Sequence, residues 1–198
     1  PLATYQPDGA EFPAPAAVAP EGPPGTGGSK ARPGPAAGAD DDGVRALRDL
    51  VAGWTDDSSG HAAAVVVAGT AEDAAGAVGA PGPTAGLDLG AALAWMAWAG
   101  ASGGRHGRRR GMAAGRFAAL WTAGAFVGLL DEWPVDPERL GGALARIRFL
   151  TFEVPGPPTG WRLGLAAGDP EQGRAWAVSA RDPAADEKTR GADGARRA

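Results

Sequence analysis

Two strongly apolar segments, Leu89–Ala101 and Met112–Leu130, constrain the fold of this chain more than any other feature. They flank a turn rich in glycine and arginine, residues 102–111 with the sequence SGGRHGRRRG. A helix that is apolar on nearly all sides belongs inside a protein core or inside a membrane. We therefore predict an apolar helical hairpin, whose second helix runs from about Arg109 to Leu130, with Met112–Leu130 the most buried segment.

A membrane-associated helical hairpin is an alternative for the same two segments. A spanning helix needs about 20 apolar residues, and the second segment offers only Phe117–Leu130 after Arg116. Gly124 and Gly128 have the small-xxx-small spacing of paired membrane helices, but this spacing also permits tight packing in a water-soluble core. We expect a packed core and no membrane partner, and the membrane hairpin stays the least favoured interpretation.

Composition divides the chain into three parts. Residues 1–39 contain nine prolines and seven glycines without apolar periodicity. Such a segment buries too little apolar surface to offset its conformational entropy, so we predict that it is disordered. The polar tail, residues 184–198, is predicted to be disordered for the same reason. Residues 40–183 then form one α+β domain of ordinary size.

Composition also excludes several classes of function. The chain has no cysteine, which excludes disulfide bonds, a cysteine nucleophile and thiolate metal sites. Its two histidines, His61 and His106, are too few for a histidine-rich metal site. We expect no metal and no cofactor. The start of this sequence shows no charged-then-apolar pattern typical of a signal peptide, and we expect a cytoplasmic location.

Alternation of apolar residues near the C-terminal end predicts a small antiparallel sheet. Its three expected strands are Ile147–Val154, Trp161–Ala167 and Arg174–Arg181. A fourth strand is expected at Ala62–Ala68, because Val65, Val66 and Val67 form a β-branched run. A continuous helix from His61 is the alternative for that segment.

The last two strands predict a hairpin with a definite register. Pairing them across residues 168–173 places Leu163 opposite Val178 and Leu165 opposite Trp176, and Trp161 then faces Ala180. The apolar faces of both strands coincide in this register. Asp169 and Glu171 are expected to serve the turn.

Short polar residues mark the starts of the helices that should cover one face of this sheet. The expected helices are Val44–Trp54 after the acidic cap Asp40–Asp42, a short helix to Val78 after the capping box Thr70–Asp73, a helix after Asp88, and Pro137–Arg146. Residues 79–86 are expected to be a connection without secondary structure.

The turn between the two apolar helices is the candidate binding site. Its basic side chains, together with one that follows in the second helix, are Arg105, His106, Arg108, Arg109, Arg110 and Arg116, and residues 105–116 contain no acid. The planar guanidinium group binds phosphate and carboxylate through two parallel hydrogen bonds. The turn glycines would let the backbone approach an anion, and the start of the second helix would add positive potential.

The alternative for this turn is a solvated basic loop without a ligand. In that case its charge would be partly neutralised by the acids that follow the second helix, Asp131, Glu132, Asp136 and Glu138. Asp131, Glu132 and Asp136 could also hold a divalent cation, although exposed acids at a helix end are the more common case.

One segment has the letters of a hydrolase motif. Residues 100–104 (GASGG) match G-x-S-x-G around Ser102, with His106 four residues beyond. A nucleophile elbow requires a strand before the serine and a helix after it, whereas here a helix precedes the serine. We therefore assign no catalytic residue.

Several segments resemble an uncharacterised family of proteins from high-GC actinobacteria. They are Leu93–Gly111, Ala114–Ala118, Pro158–Leu163 and Gly173–Ala177, within the range Gly60–Asp182. The resemblance implies no activity and no catalytic residue.

The sequence thus predicts a non-enzymatic interaction module that binds an anionic ligand or an acidic protein surface through residues 105–116. The alternative from another class is an enzyme acting on a phosphorylated or nucleotide substrate, with the same arginines as its anion clamp. The net charge of −4 disfavours general nucleic-acid binding. The sequence does not specify the oligomeric state.

Overall fold

The computed structural model describes residues 41–80, 82–156 and 160–183 and confirms the α+β class. The segments predicted to be disordered, 1–39 and 184–198, lie outside the described residues. The helices are α1 Asp42–Leu50, α2 Ala52–Thr55, α3 Ala71–Ala77, α4 Leu89–Ser102, α5 Met112–Phe126 and α6 Pro137–Leu144, with a 3-10 turn at Leu130–Glu132. The strands are β1 His61–Ala68, β2 Thr84–Leu87, β3 Arg148–Phe152, β4 Trp161–Asp169 and β5 Arg174–Asp182.

The strands form one sheet in the order β1-β5-β4-β3-β2, and every neighbouring pair is antiparallel. The three C-terminal strands and the strand over the valine run are confirmed. Strand β2 was not expected, because residues 79–86 were predicted to be a plain connection. Ala85 and Gly86 have low strand propensity, and the segment is held by pairing with β3, where Leu87 lies opposite Phe149.

The β4–β5 hairpin is confirmed, but its predicted register is wrong by two residues. Leu163 lies opposite Ala180 and Leu165 opposite Val178. The strands continue as far as the pair Asp169 and Arg174, so the turn is shorter than the sequence suggested. A shift of two residues leaves the same side chains on the same face, which is why the apolar pattern did not reveal it.

Helices pack against both faces of the sheet, whereas the sequence predicted coverage of one face. The larger core lies between one face and helices α1, α4 and α5, and includes Leu50, Trp54, Met96 and Leu163. On the other face, α3 forms a smaller apolar cluster with residues such as Val67. The adjacent residues Val66 and Val67 of β1 therefore belong to the larger and the smaller core, respectively.

Most of the predicted caps are confirmed. The carboxylate of Asp41 accepts a hydrogen bond from the Val44 N–H at 3.0 Å, and Asp88 accepts one from the Ala91 N–H at 2.7 Å. Thr70 and Asp73 form the expected capping box. The helix predicted over 44–54 is divided at Val51, where α1 ends and α2 follows.

Helix α5 is shorter and less buried than predicted. It begins at Met112, because the preceding Gly111 has φ +88°, and it ends at Phe126. Its outer face reaches solvent, with 53% of Phe117 and 39% of Leu120 exposed. The prediction that this helix is the most buried element is therefore wrong. None of the helices in the described residues combines the length and apolar content needed to cross a membrane.

Candidate functional site

The arginine-rich turn, residues 103–111, connects α4 to α5 and closes on itself. Helix α4 ends at Ser102, and its C-cap, Gly103, adopts a left-handed conformation with φ +68°. The carbonyl of Ala101 then accepts hydrogen bonds from the N–H groups of Arg110 at 2.9 Å and Gly111 at 3.2 Å. The two ends of the turn are thus joined directly, as in a compact surface loop.

A buried carboxylate fixes the turn to the sheet. Asp182, the last residue of β5, is fully buried and accepts a hydrogen bond from the backbone N–H of Arg105. It also accepts hydrogen bonds from the hydroxyl groups of Ser58 at 2.7 Å and Ser59 at 3.3 Å. The Ser58 oxygen in turn accepts the N–H of His106 at 3.1 Å, so two consecutive turn amides are held by this network.

Gly103 and Gly104 serve the packing of the turn itself. A Cβ added at Gly103 would lie 2.0 Å from the carbonyl oxygen of Arg108, and one at Gly104 would lie 2.8 Å from a carboxylate oxygen of Asp182. Gly104 also has φ +80°, which side chains rarely tolerate. The sequence assigned these glycines to close contact with an anion, but the atoms they approach belong to the protein.

The basic side chains of the turn point outward. Arg105, His106, Arg108 and Arg110 are exposed, and Arg109 is half-buried. A fixed backbone therefore presents several cationic groups from one short loop. Arg116 is also exposed, but it lies in α5, beyond the turn itself.

The acids expected to neutralise the turn have other partners or are exposed. Glu132 forms an ion pair with Arg139 at 2.6 Å, and Asp136 caps α6. Within the described ranges, no ion pair joins Arg105, Arg108 or Arg110 to an acid. These three cations therefore keep their capacity for a ligand.

The start of α5 adds positive potential beside the arginines. Gly111 is its N-cap and provides no side-chain hydrogen bond, and the first turn has no acidic residue. The free N–H groups of a helix start carry partial positive charge. The helix begins two residues after Arg110, so this charge and the turn arginines act on the same region.

The structure rules out Ser102 as a nucleophile. Its side chain is fully buried. The hydroxyl accepts a hydrogen bond from Trp54 Nε1 at 2.8 Å and donates one to the Ala99 carbonyl at 2.9 Å. This hydroxyl joins helices in the core and has no access to a substrate.

A second buried carboxylate, Asp169, lies at the opposite end of the hairpin. It accepts hydrogen bonds from Arg146 Nε at 3.0 Å and from the N–H groups of Glu171 at 2.9 Å and Gln172 at 3.2 Å. Burial alone would raise the pKa of Asp169, but the hydrogen bonds from Arg146, Gln172 and Glu171 and the Arg146 charge hold it below its ordinary value. This confirms the turn role expected for Asp169.

Sequence reasoning identified the arginines but missed the groups that hold them. Asp182 and Ser58 lie 77 and 48 residues, respectively, from the turn residues whose N–H groups they accept. An Asp-Pro pair at a strand end and a Ser-Ser pair in a loop gave no specific signal. In the portion of the chain that the structure describes, no group of three His, Cys, Asp or Glu side chains could hold a metal ion.

Comparisons with protein-family models, curated proteins and solved structures found no match for this chain. The resemblance to an actinobacterial family therefore stays a prediction from the sequence. The geometry of the turn is what supports a function.

Proposed function

We propose that this chain is a non-enzymatic interaction module that binds an anionic partner through the arginine-rich turn. One observation carries the proposal. The turn backbone is tied to the buried Asp182, while Arg105, Arg108 and Arg110 are exposed and none of them forms an ion pair within the described residues.

This combination favours binding for an energetic reason. A loop that is already ordered loses less conformational entropy when a ligand binds. Its guanidinium groups can then donate hydrogen bonds to phosphate or carboxylate oxygens. The turn would therefore recognise a compact group of negative charges better than a flexible basic tail would.

Charge next to the turn favours an acidic protein surface over nucleic acid. Asp56 and Asp57 are exposed, and a Cβ at Gly107 would lie 3.0 Å from the Asp57 Cβ. A nucleic acid needs a continuous run of cations along its phosphate backbone, and Asp57 adds a negative charge beside the turn. A localised cluster of carboxylates or phosphates needs only the few arginines of the turn.

No specific observation favours the alternative of an enzyme with the same arginines as its anion clamp. The buried Ser102 is committed to core hydrogen bonds. Asp182 accepts three hydrogen bonds beneath the turn. Neither group is positioned to act as a base on a ligand held by the arginine side chains.

The test compares two triple variants with the wild-type chain. Arg105, Arg108 and Arg110 are replaced by alanine in the first variant. The control replaces three exposed arginines elsewhere, Arg45, Arg139 and Arg148, so that net charge falls equally. Calorimetric titration uses two probes, inorganic pyrophosphate and a synthetic oligoglutamate peptide, each at low and high salt.

We expect the turn variant to bind at least one probe about tenfold to a hundredfold more weakly, because three charge-assisted contacts are lost. The control variant should lose less than about threefold, since distant exposed charges are screened. Equal losses in both variants would show that binding reflects overall charge, and no loss in the turn variant would remove the turn as the site.

A further inference from the structure

The outer face of α5 carries an aromatic patch that the main core does not use. It consists of Phe117, Leu120, Trp121 and Trp133, and Phe117 and Leu120 are the exposed large apolar side chains of the described residues. The rings of Phe117 and Trp121 stack with centroids 5.8 Å apart, and Trp133 packs edge-on against them at 5.5 and 5.4 Å. An exposed, contiguous apolar surface of this kind marks an interaction site.

One edge of the aromatic patch is acidic because the chain folds back along α5. Leu130 closely approaches Gly124, where an added Cβ would lie 3.4 Å from the Leu130 side chain. Trp133 reaches Phe117 three residues later. The segment between them holds Asp131 and Glu132, both exposed, on the Trp133 side of the patch.

The opposite edge is basic, and helix geometry gives its position. Arg116 precedes Leu120 by four residues, which places it about 40° to one side of Leu120 and one turn nearer the start of the helix. Trp121, which contacts Trp133, lies about 100° to the other side. Arg116 and Asp131 therefore occupy diagonally opposite corners of the aromatic patch, with Leu120 between them.

A surface with this arrangement is complementary to itself. A two-fold axis that lies in the interface, passes over Leu120 and runs between the other two corners exchanges the Arg116 and Asp131 corners. Arg116 of each copy then meets Asp131 of the other, and the aromatic side chains meet each other. A two-fold interface uses the same surface on both subunits and requires this self-complementarity. We propose that a second copy of this chain binds the aromatic patch, forming a two-fold dimer in which the two α5 helices cross.

The charges on both sides of the aromatic patch favour a second copy over an unrelated acidic protein. Residues 105–116 carry five arginines and no acid, whereas residues 131–139 carry four acids and one arginine. A purely acidic partner would match the first edge and be repelled by the second. The proposed dimer uses Arg116 but none of Arg105, Arg108 and Arg110, so it goes beyond the proposed function and does not depend on it.

The first test measures the mass of the full chain by analytical ultracentrifugation over a range of concentrations. We expect a dimer for the wild-type chain and a monomer for Leu120→Glu, because a charge would be buried at the centre of the interface. The control Ala77→Glu adds the same charge at an exposed position of α3 and should stay dimeric. A monomeric wild-type chain, or a dimeric Leu120→Glu variant, would overturn the proposal.

A charge exchange tests the geometry without relying on a loss. Arg116→Glu and Asp131→Arg should each weaken the dimer about tenfold or more, because like charges then meet at both corners. Mixing the two single variants should restore association, since every corner of the mixed dimer again joins opposite charges. The double variant Arg116→Glu/Asp131→Arg should dimerise alone. Failure of both rescues would overturn the two-fold arrangement.

Discussion

Two buried carboxylates stand at opposite ends of the β4–β5 hairpin and are satisfied differently. Asp169 and Asp182 are both fully buried. Asp169 lies against a guanidinium group, that of Arg146, and two backbone amides. Asp182 accepts its hydrogen bonds from two serine hydroxyls and the backbone N–H of Arg105, although several arginine side chains are close in sequence to that amide.

The difference shows how a carboxylate can organise a basic loop without occupying its cations. At Asp169 the arginine is the partner, so charge and hydrogen bonds are satisfied inside the protein. At Asp182 the partners are neutral, so the carboxylate fixes the loop backbone and leaves the guanidinium groups at the surface. The first arrangement stabilises a turn, and the second presents a site.

The largest effect should come from Asp182→Ala. This change leaves two serine hydroxyls and one backbone amide without their acceptor, and we expect a loss of about 3 kcal/mol in the free energy of unfolding. Chemical denaturation measures the loss, and hydrogen exchange should show faster exchange of the Arg105 amide. A loss below about 1 kcal/mol, with exchange unchanged, would mean that Asp182 does not hold the turn.

Asp169→Asn should lower the free energy of unfolding by less than Asp182→Ala does, about 1 to 2 kcal/mol. The side chain of Arg146 is partly exposed, with 27% of its surface in solvent. Water can therefore replace part of the hydrogen bonding that Arg146 loses with the carboxylate. Pyrophosphate binding should not change, because this carboxylate lies at the other end of the hairpin from the arginine turn. Weaker binding in this variant would break the distinction between the two ends.

Acid should act through Asp169 in a defined direction. Its pKa is lowered in the folded protein, so its stabilising contribution is present above the pKa of the unfolded chain and is lost as the pH falls through the folded value. We expect the free energy of unfolding of the wild-type chain to fall below about pH 4 more steeply than that of Asp169→Asn. Parallel curves for the two proteins would contradict the role given to the Arg146 pair.

The smallest effect distinguishes the two serines. Ser58→Ala removes the hydroxyl that binds both Asp182 and the His106 N–H, and should cost about 1 kcal/mol. Ser59 makes the longer contact with Asp182, 3.3 Å, so Ser59→Ala should cost less than Ser58→Ala. Thermal and chemical denaturation of the two variants gives the comparison. A larger loss for Ser59→Ala would show that Ser59, and not Ser58, is the main hydroxyl partner of Asp182.

Local patterns were sufficient to predict most of the elements. Alternation identified β4 and β5, and caps such as Asp88 marked helix starts, because these signals depend on neighbours in sequence. Strand β2 was not predicted, because it is held by pairing with β3, which is distant in sequence. The hairpin register was not predictable from alternation, because a shift of two residues leaves every side chain on the same face. The observed register depends on the closure of the turn by hydrogen bonds to the Asp169 side chain.

The cations of the candidate site were predictable from the sequence, but the groups that fix the turn backbone were not. Arginines and glycines between two apolar segments identify a basic turn directly. Its anchor, Asp182, is brought there only by the path of β5. The exposure of Phe117 was also hidden, since an apolar residue reads the same whether it faces a core or a partner.

The most direct test of the account is a two-dimensional amide NMR titration of the full chain with inorganic pyrophosphate, repeated on the variant in which Arg105, Arg108 and Arg110 are alanine. We predict chemical-shift changes concentrated in the amides of residues 103–116 of the wild-type chain and absent from the variant. Shift changes spread evenly over the exposed arginines of the described residues, or unchanged by the three substitutions, would contradict the account.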